Sequence, residues 1–244
     1  MTIFLASHIG GSVRVNGKRI PAELITANHL ADAIKERWPE NADVLFIAAD
    51  PNNAEKVTSY KNAYLYAFPL HGMSIHSYTV CDITNVTVVD HLEQYNVIIL
   101  SGGHVPTQNA FFQDISLKEK IQDFPGIIIG ISAGTMNCAE IVYAHPELDG
   151  EATDPQYKRF IPGLGLTKRM VLPHYQMIKD DVLDGLHAME NIAYPDSIGR
   201  EFYALCDGSY ILSENGKEIL YGEAYLIKNG QLVKICETDQ TLVL

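Results

Sequence analysis

The sequence PGIIIGISAGTMNCAE, residues 125–140, decides the fold. An apolar run leads into Gly130-Ile131-Ser132-Ala133-Gly134, and a segment with a helical pattern follows. This order predicts a buried strand that turns sharply into a helix, with Ser132 on the turn and small residues around it. The hydroxyl would then lie above a helix N-terminus, whose free N–H groups favour developing negative charge. The pattern predicts a nucleophile, and the alternative is an ordinary strand–helix turn in which Ser132 caps the helix.

Other apolar runs in the first half of the chain predict further strands of the same sheet. The predicted strands are Ile3–Ala6, Asp43–Ala49, Ser74–Cys81 and Val97–Leu100. The predicted helices cover residues 21–34, where Pro21 opens a pattern of apolar residues at threes and fours, residues 56–68, and the segment from His104 to Gln122. Continuous apolar strands separated by helices are typical of a parallel sheet covered on both faces. The expected fold class is therefore α/β, with a mostly parallel central sheet and helices on both faces.

Polar or glycine-rich segments follow several of the predicted strands. They are Ser7–Gly11, Asp50–Asn53, Gly102–Gln108 and the turn at Ser132. In open parallel sheets, ligands bind at the carboxyl ends of the strands. We expect these segments to converge on one site.

The second half of the chain has a different pattern. Met170–Leu172 predicts a short strand that ends in Pro173-His174-Tyr175, and Asp180–Met189 predicts a helix. From Phe202 onward, short apolar runs alternate with turns at Asp207-Gly208, Asn215-Gly216 and Asn229-Gly230. Asn-Gly between apolar runs is typical of a β-hairpin. We therefore expect an antiparallel C-terminal extension of the main sheet, whose exposed edge could pair two copies in a homodimer.

Composition narrows the class of protein. At 244 residues, with no repeat, low-complexity segment or linker, the chain is expected to form one domain over residues 1–244. A formal net charge of −12 argues against a nucleic-acid partner, because phosphate backbones attract clustered Lys and Arg. No apolar run reaches about 18 residues, so no membrane span is predicted. The N-terminus lacks the basic start of a signal peptide and is interpreted as a first core strand.

The cysteines favour a cytoplasmic protein. Cys81, Cys138, Cys206 and Cys236 are widely spaced and form no CxxC pair. Such cysteines are more typical of buried thiols than of a disulfide framework. No metal-ligand spacing such as HExxH occurs, so no metal site is expected.

A serine nucleophile needs a base, usually a histidine that a carboxylate orients. Among the nine histidines, His8 and His104 lie in predicted strand-end loops and His29 lies in the first predicted helix. His174 differs because Pro173 fixes the backbone at the end of a short strand, after a glycine-rich turn. His174 is the candidate base, and the alternative is a loop histidine that caps a strand.

Four of these motifs, in this order, resemble the peptidase family of dipeptidase E and cyanophycinase. They are Gly102-Gly103-His104, then GISAG, then Gly163-Leu164-Gly165-Leu166 followed by Pro173-His174-Tyr175, and then Leu205-Cys206-Asp207-Gly208-Ser209. The resemblance spans Thr2 to about Leu212. It implies a class I glutamine amidotransferase-like fold that carries a serine nucleophile in place of the usual cysteine.

The resemblance also implies residue roles. Ser132 would be the nucleophile, His174 the general base and Asp207 the acid, with Glu201 as the alternative acid. Asp207 has its own alternative as the first residue of an Asp-Gly turn. The backbone N–H groups of Gly103 and Ala133 would form the oxyanion hole. The loop that carries His104, Thr107 and Gln108 would contact the substrate, although His104 could instead fill the loop mouth.

The order of the predicted acid and base separates this chain from α/β-hydrolases, in which the acid precedes the histidine. Two departures from the family pattern concern the substrate. The family often has Gly-Gly-Asn-Thr where this chain has Gly102-Gly103-His104-Val105. The arginine-bearing stretch that follows the histidine in aspartyl dipeptidases is here residues 177–190, with Lys179 as the only cation.

These observations predict a cytoplasmic serine peptidase that acts on short peptides through an acyl-enzyme, with no metal or organic cofactor. An acyl transferase of the glutamine amidotransferase type would normally use cysteine at position 132. A binding protein that keeps the fold without activity is the remaining alternative.

Overall fold

The computed structural model describes residues 1–244. The strands are β1 (Thr2–Ala6), β2 (Gly10–Val15), β3 (Lys18–Leu24), β4 (Ala42–Ile47), β5 (Ile75–Cys81), β6 (Val97–Leu100), β7 (Ile127–Ile131), β8 (Ile141–Tyr143), β9 (Phe160–Pro162), β10 (Met170–Leu172), β11 (Val182–Leu183), β12 (Leu186–His187), β13 (Glu201–Leu205), β14 (Tyr210–Glu214), β15 (Lys217–Tyr221), β16 (Ala224–Lys228), β17 (Gln231–Cys236) and β18 (Thr241–Val243). The α-helices are α1 (Leu30–Lys35), α2 (Ala54–Leu70), α3 (Val105–Asp114), α4 (Leu117–Ile121), α5 (Ala133–Asn137), α6 (Tyr175–Ile178) and α7 (Tyr194–Asp196). Short 3-10 segments cover Ala27–His29 and Val86–Gln94, and a π-helical segment covers Ala188–Ala193.

An eight-stranded sheet organises the molecule. Its strand order is β18-β15-β14-β1-β7-β6-β4-β5. The strands from β1 to β5 in this order are parallel, whereas β14, β15 and β18 add antiparallel pairs beyond β1. The expected α/β fold with a mostly parallel central sheet is therefore confirmed.

Both faces of this sheet are buried, which explains the continuous apolar runs in the sequence. Leu45 and Ile47 of β4 belong to a core cluster of 25 residues, and Val44 and Phe46 belong to a cluster of 23. Neighbouring residues of a strand point to opposite faces. A strand with helices or loops packed on both sides therefore has no polar position in its interior.

The C-terminal third is antiparallel, as predicted, but only part of it extends the main sheet. β13, β16 and β17 form a second, four-stranded sheet with β10, in the order β10-β13-β16-β17. The prediction of one edge on the main sheet was therefore incomplete. This second sheet pairs β10 with β13, and it brings together the two chain segments that carry His174 and Asp207.

Two predicted helices differ from the structure. The helix predicted over residues 21–34 is helical only at its C-terminal end, in the 3-10 segment at Ala27–His29 and in α1. Residues 10–24 form the hairpin of β2 and β3, where a helix was expected to start at Pro21. At the turn of this hairpin, Asn16 and Gly17 both have positive φ. The same Asn-Gly pattern was interpreted as a hairpin turn in the C-terminal third. The predicted helix at Asp180–Met189 is instead the β11–β12 hairpin, which turns at Asp184-Gly185, followed by the π-helical segment.

None of the helices combines the length and the apolar character needed to cross a bilayer.

Candidate active site

Ser132 lies on the sharp turn between β7 and α5. Its backbone has φ 52° and ψ −114°, a conformation that non-glycine residues rarely adopt and that marks a strained position. The flanking glycines allow the helix to approach the sheet. A Cβ atom on Gly134 would overlap the carbonyl group of Leu100, and one on Gly130 would lie 2.9 Å from the Cα of Thr135. The Gly-x-Ser-x-Gly pattern thus reflects close packing of α5 on β6 and β7.

His174 reaches Ser132 from the end of β10. It follows Pro173, adopts a left-handed backbone conformation with φ 58° and precedes α6. Its Nε2 atom lies 2.9 Å from the Oγ atom of Ser132. The serine hydroxyl can therefore donate its hydrogen bond to the imidazole.

Asp207 lies directly after β13, the strand paired with β10, and completes the chain of contacts. Its Oδ1 atom is 2.7 Å from Nδ1 of His174. When Nδ1–H donates to this carboxylate, Nε2 is the atom left to accept from Ser132. The three predicted residues are thus joined in one hydrogen-bonded line.

The carboxylate of Asp207 has further support. The Ser7 hydroxyl donates to Oδ1 at 2.8 Å and accepts the N–H of His174 at 2.8 Å. Burial acts to raise the pKa of Asp207, but hydrogen bonds from His174 and Ser7 and the nearby histidine charge outweigh it, so the pKa lies below its usual value. Asp207 is therefore held as a carboxylate next to the imidazole.

Glu201, the alternative acid, lies elsewhere. Its carboxylate pairs with the Lys228 ammonium group across the β13–β16 ladder. The structure thus gives His174 one carboxylate partner, and that partner is Asp207.

Of the two predicted oxyanion donors, Ala133 directly follows Ser132 and Gly103 lines the cavity at Ser132. Neither the Gly103 N–H nor the Ala133 N–H donates a hydrogen bond within the protein. A Cβ atom on Gly102 would lie 3.3 Å from the Cβ of Ser132, so the end of β6 passes very close to the serine. Both predicted donors are therefore free of partners within the protein.

His104, Thr107 and Gln108 do not line the cavity at Ser132. The ring of His104 bridges the Thr107 hydroxyl at 2.7 Å and the Glu151 carboxylate at 2.8 Å. Gln108 is fully buried and bonds to the Ser101 carbonyl group and the Asn137 amide. A contact between His104 and substrate would require its ring to leave Glu151.

A cavity of about 480 Å³ opens at the serine. Ser132, His174, Asp207 and both glycines of the Gly102-Gly103 loop line it. Other parts of the chain contribute charged or titratable side chains, namely His8, Arg14, Arg19, His145, Glu147 and Asp181. The cavity therefore offers both signs of charge around a serine hydroxyl.

Two titratable groups in this cavity are perturbed. Protein surrounds Glu147 on most sides although its side chain still reaches solvent, and this environment together with the charge of Glu151 raises the pKa of Glu147 to about 7. Burial lowers the pKa of His8, whose ring centroid is 6.1 Å from that of His174. His8 is therefore held neutral beside the ring of His174.

The sequence matches a known peptidase family over most of its length. The family model described as peptidase family S51 matches residues 22–221, most of the chain. The chain belongs to peptidase family S51. It is a serine-type peptidase, and the resemblance to the dipeptidase E family is confirmed.

Solved structures agree with the S51 fold. The crystal structure of a peptidase from an acI-B1 Actinobacterium is 13% identical, with a TM-score of 0.63 over 100% of this chain and 96% of that one. A structure described as a candidate peptidase E protein from Listeria monocytogenes EGD-e is 14% identical, with a TM-score of 0.53 over 96% of this chain and 97% of that one. No curated protein sequence matches the chain.

Several residues around this S51 site were missed by sequence reasoning. Ser7 was expected only as part of a strand-end segment, yet it contacts both Asp207 and the His174 backbone. Gln176 accepts the N–H of Asp207 through its side-chain oxygen at 3.0 Å. Ser7 follows the end of β1, and Gln176 lies in α6, two residues after His174. The strand-end rule could therefore have placed Ser7 at the site without giving its partners.

Proposed function

We propose that this S51 peptidase hydrolyses short peptides through a Ser132–His174–Asp207 triad and an acyl-enzyme. The observation that carries the proposal is the unbroken hydrogen-bonded line from the Ser132 Oγ atom through both nitrogens of His174 to Asp207. A serine hydroxyl is a weak nucleophile by itself, and a histidine oriented by a carboxylate is a common means of activating it.

In the first step, the Ser132 Oγ atom attacks the carbonyl carbon of the scissile amide. The Nε2 atom of His174 accepts the hydroxyl proton as the bond forms. Asp207 keeps the imidazole in the tautomer that can accept this proton and stabilises the imidazolium that results. The lowered pKa of Asp207 supports this role, because the carboxylate stays ionised near neutral pH.

The tetrahedral intermediate places a negative charge on the former carbonyl oxygen. The unpaired N–H groups of Gly103 and Ala133 are available to bind this oxygen. Loss of one such donor costs about 3–4 kcal/mol of transition-state stabilisation in serine peptidases. We assign these two groups as the oxyanion hole.

Collapse of the intermediate breaks the C–N bond, and His174 gives its proton to the leaving amine. Water then attacks the acyl-enzyme, with His174 again accepting a proton, and the acid product leaves as Ser132 regains its own. Apart from the attacking water, each step uses groups that the chain supplies.

The cavity supports a short substrate. Its volume of about 480 Å³ lies in the range of pockets that enclose small molecules. The charged residues that line the cavity come from the β2–β3 hairpin, the segment after β8 and the segment after α6. They therefore lie on several sides of Ser132. A long extended chain finds less room in such a pocket than a peptide of a few residues.

A peptide-length series tests this function. Wild-type protein should release amines from dipeptides and tripeptides faster than from decapeptides of the same composition. The Ser132→Ala and His174→Ala variants should each lose activity by about 10⁴-fold or more. Cleavage of long and short peptides at equal rates would contradict the substrate class, and full activity in Ser132→Ala would contradict the nucleophile.

A further inference from the structure

The β2–β3 hairpin presents two arginines to the cavity at Ser132. Arg14 of β2 lies directly opposite Arg19 of β3 in the antiparallel ladder, and both side chains line the cavity. Like charges in a directly opposed pair destabilise a hairpin. This arrangement therefore has a cost in the free protein, which an anion bound between the two guanidinium groups would remove.

Neither arginine has a carboxylate partner in the protein. Arg37, Arg159 and Arg169 each form an ion pair with an acidic side chain, but no acidic side chain lies within 4.0 Å of Arg14 or Arg19. Arg200 is also without a carboxylate partner, but it lies over the Phe160 ring and does not line the cavity. The chain has a net charge of −12, so acidic residues that could pair with these two arginines are plentiful. The guanidinium groups in the cavity keep donors free for an external ligand.

Arg19 is held in place by neutral groups. Its guanidinium carbon lies 3.9 Å from the ring centroid of Tyr60, and its Nη1 atom donates to the Ser12 hydroxyl at 2.6 Å. Tyr60 and Ser12 line the same cavity. Stacking on an aromatic ring fixes the plane of a guanidinium group without neutralising it. The side chain is thus oriented before a ligand arrives.

The hairpin also lies close enough to the serine site to influence it. Arg19 lines the same cavity as Ser132 and His8, and the ring centroid of His8 lies 6.1 Å from that of His174. The stretch after His174 gives no equivalent cation, because Lys179 is paired with Asp180 and does not line the cavity. Glu147 and Asp181 line the cavity from other elements and would repel a carboxylate there.

We propose that Arg14 and Arg19 bind a carboxylate of the peptide substrate and so determine specificity. The inference rests on the proposed peptidase function and adds the recognition group. Arg binds carboxylates through paired N–H donors. Two sources share this chemistry, namely an acidic side chain of the substrate and the terminal carboxylate of a short peptide.

Calorimetric titration of the Ser132→Ala protein, which binds without turnover, separates the two sources. The probes are alanyl-alanine, alanyl-alanine amide, aspartyl-alanine amide and asparaginyl-alanine amide. A preference for the first over the second indicates the terminal carboxylate, and a preference for the third over the fourth indicates the side chain. Either preference supports the proposal, and equal binding of all four, or no binding of any, overturns it.

Arginine variants in the same background test the residues. Arg14→Gln and Arg19→Gln should each weaken binding of the preferred peptide by about 10-fold to 100-fold, because a charged hydrogen-bonded pair is lost. Arg19→Lys should recover only part of the affinity. Lys18→Gln is the matched control, because Lys18 pairs with Val15 on the opposite face of the hairpin and should leave affinity unchanged. An equal loss in Lys18→Gln overturns the proposal.

Stability distinguishes recognition from a structural role. Arg14→Gln should unfold at the same temperature as the parent protein or at a higher one, because it relieves repulsion with Arg19. A lower melting temperature together with weaker binding would overturn the assignment of Arg14. Fluorophosphonate labelling of Ser132 in otherwise wild-type protein reports on the nucleophile alone. Normal labelling without any carboxylate preference therefore refutes this inference and leaves the proposed function standing.

Discussion

Ser132, His174, Asp207 and Ser7 come from four distant parts of the chain and meet at one point. The Ser7 hydroxyl links Asp207 with the His174 backbone, so it fixes the distance between the acid and the base. A donor aimed at a carboxylate also favours its ionised form. At the scale of single residues, the proposed triad therefore has Ser7 as a further hydrogen-bonding partner.

Replacement of Asp207 by Asn should lower kcat by about 10⁴-fold, because the amide favours the wrong imidazole tautomer. Glu201→Gln is the control, since its carboxylate pairs with Lys228 and lies away from His174. The measurement is kcat and KM on the best short peptide. Comparable losses in the two variants would show that Asp207 is not the acid of the triad.

At the scale of elements, the turn between β7 and α5 depends on the absence of side chains at two positions. Gly134→Ala should reduce the free energy of unfolding by about 3 kcal/mol, because the new methyl group overlaps the end of β6. Gly216→Ala is the control, since its φ of 73° carries strain but nothing lies within 4 Å, and it should cost about 1–2 kcal/mol. Urea unfolding measures both, and a smaller loss at Gly134 than at Gly216 would contradict the packing argument.

The segment after β8 depends on one partly buried carboxylate, that of Glu151. Glu151 bonds to the His104 ring and accepts the N–H groups of Glu147 and Leu148. Glu151→Ala should therefore speed hydrogen exchange at these two amides by about 10-fold, because the charged acceptor is lost. Glu119→Ala, which removes an exposed carboxylate without hydrogen bonds, should leave them unchanged. Unchanged exchange in Glu151→Ala would show that other contacts hold this segment.

The predictable elements are those in which one local signal dominates. Four buried parallel strands, β1, β4, β6 and β7, followed from continuous apolar runs, since both faces of the sheet are covered there. The hairpin at residues 10–24 was missed because the apolar spacing after Pro21 was interpreted as a helix and the Asn16-Gly17 turn was not considered. That error hid Arg14 and Arg19, which reach the cavity only when residues 10–24 form a hairpin.

Contacts between distant residues could not be predicted in the same way. The choice of Asp207 over Glu201 depends on which end of β13 faces β10 and His174, and no local pattern encodes this. The partner of His104 was likewise hidden, because Glu151 lies 47 positions further along the chain. Local patterns named only the strand-end segments, whereas the family resemblance named Ser132, His174 and Asp207, which meet there.

At the scale of the whole molecule, the ionisation of Asp207 makes the stability of the fold depend on pH. The pKa of Asp207 is lower in the folded protein than its ordinary value of 3.8. Ionised Asp207 therefore stabilises the fold above about pH 4, and this contribution is lost as pH falls through the lower, folded pKa.

The melting temperature of wild type minus that of Asp207→Asn should accordingly be constant near neutral pH and shrink below about pH 4. Calorimetric scans from pH 3 to pH 8 measure this difference. Asp149→Asn, which changes an exposed carboxylate without a hydrogen bond, should give a difference that stays small throughout. A wild-type advantage that grows toward low pH would contradict the direction of the Asp207 shift.

The measurement that tests the nucleophile most directly is labelling with a fluorophosphonate probe, followed by mapping of the adduct by mass spectrometry. The triad predicts one adduct, on Ser132, that is lost in His174→Ala and strongly slowed in Asp207→Asn. No adduct on folded wild-type protein, or an adduct on another residue, would contradict the assignment of Ser132 as the catalytic serine.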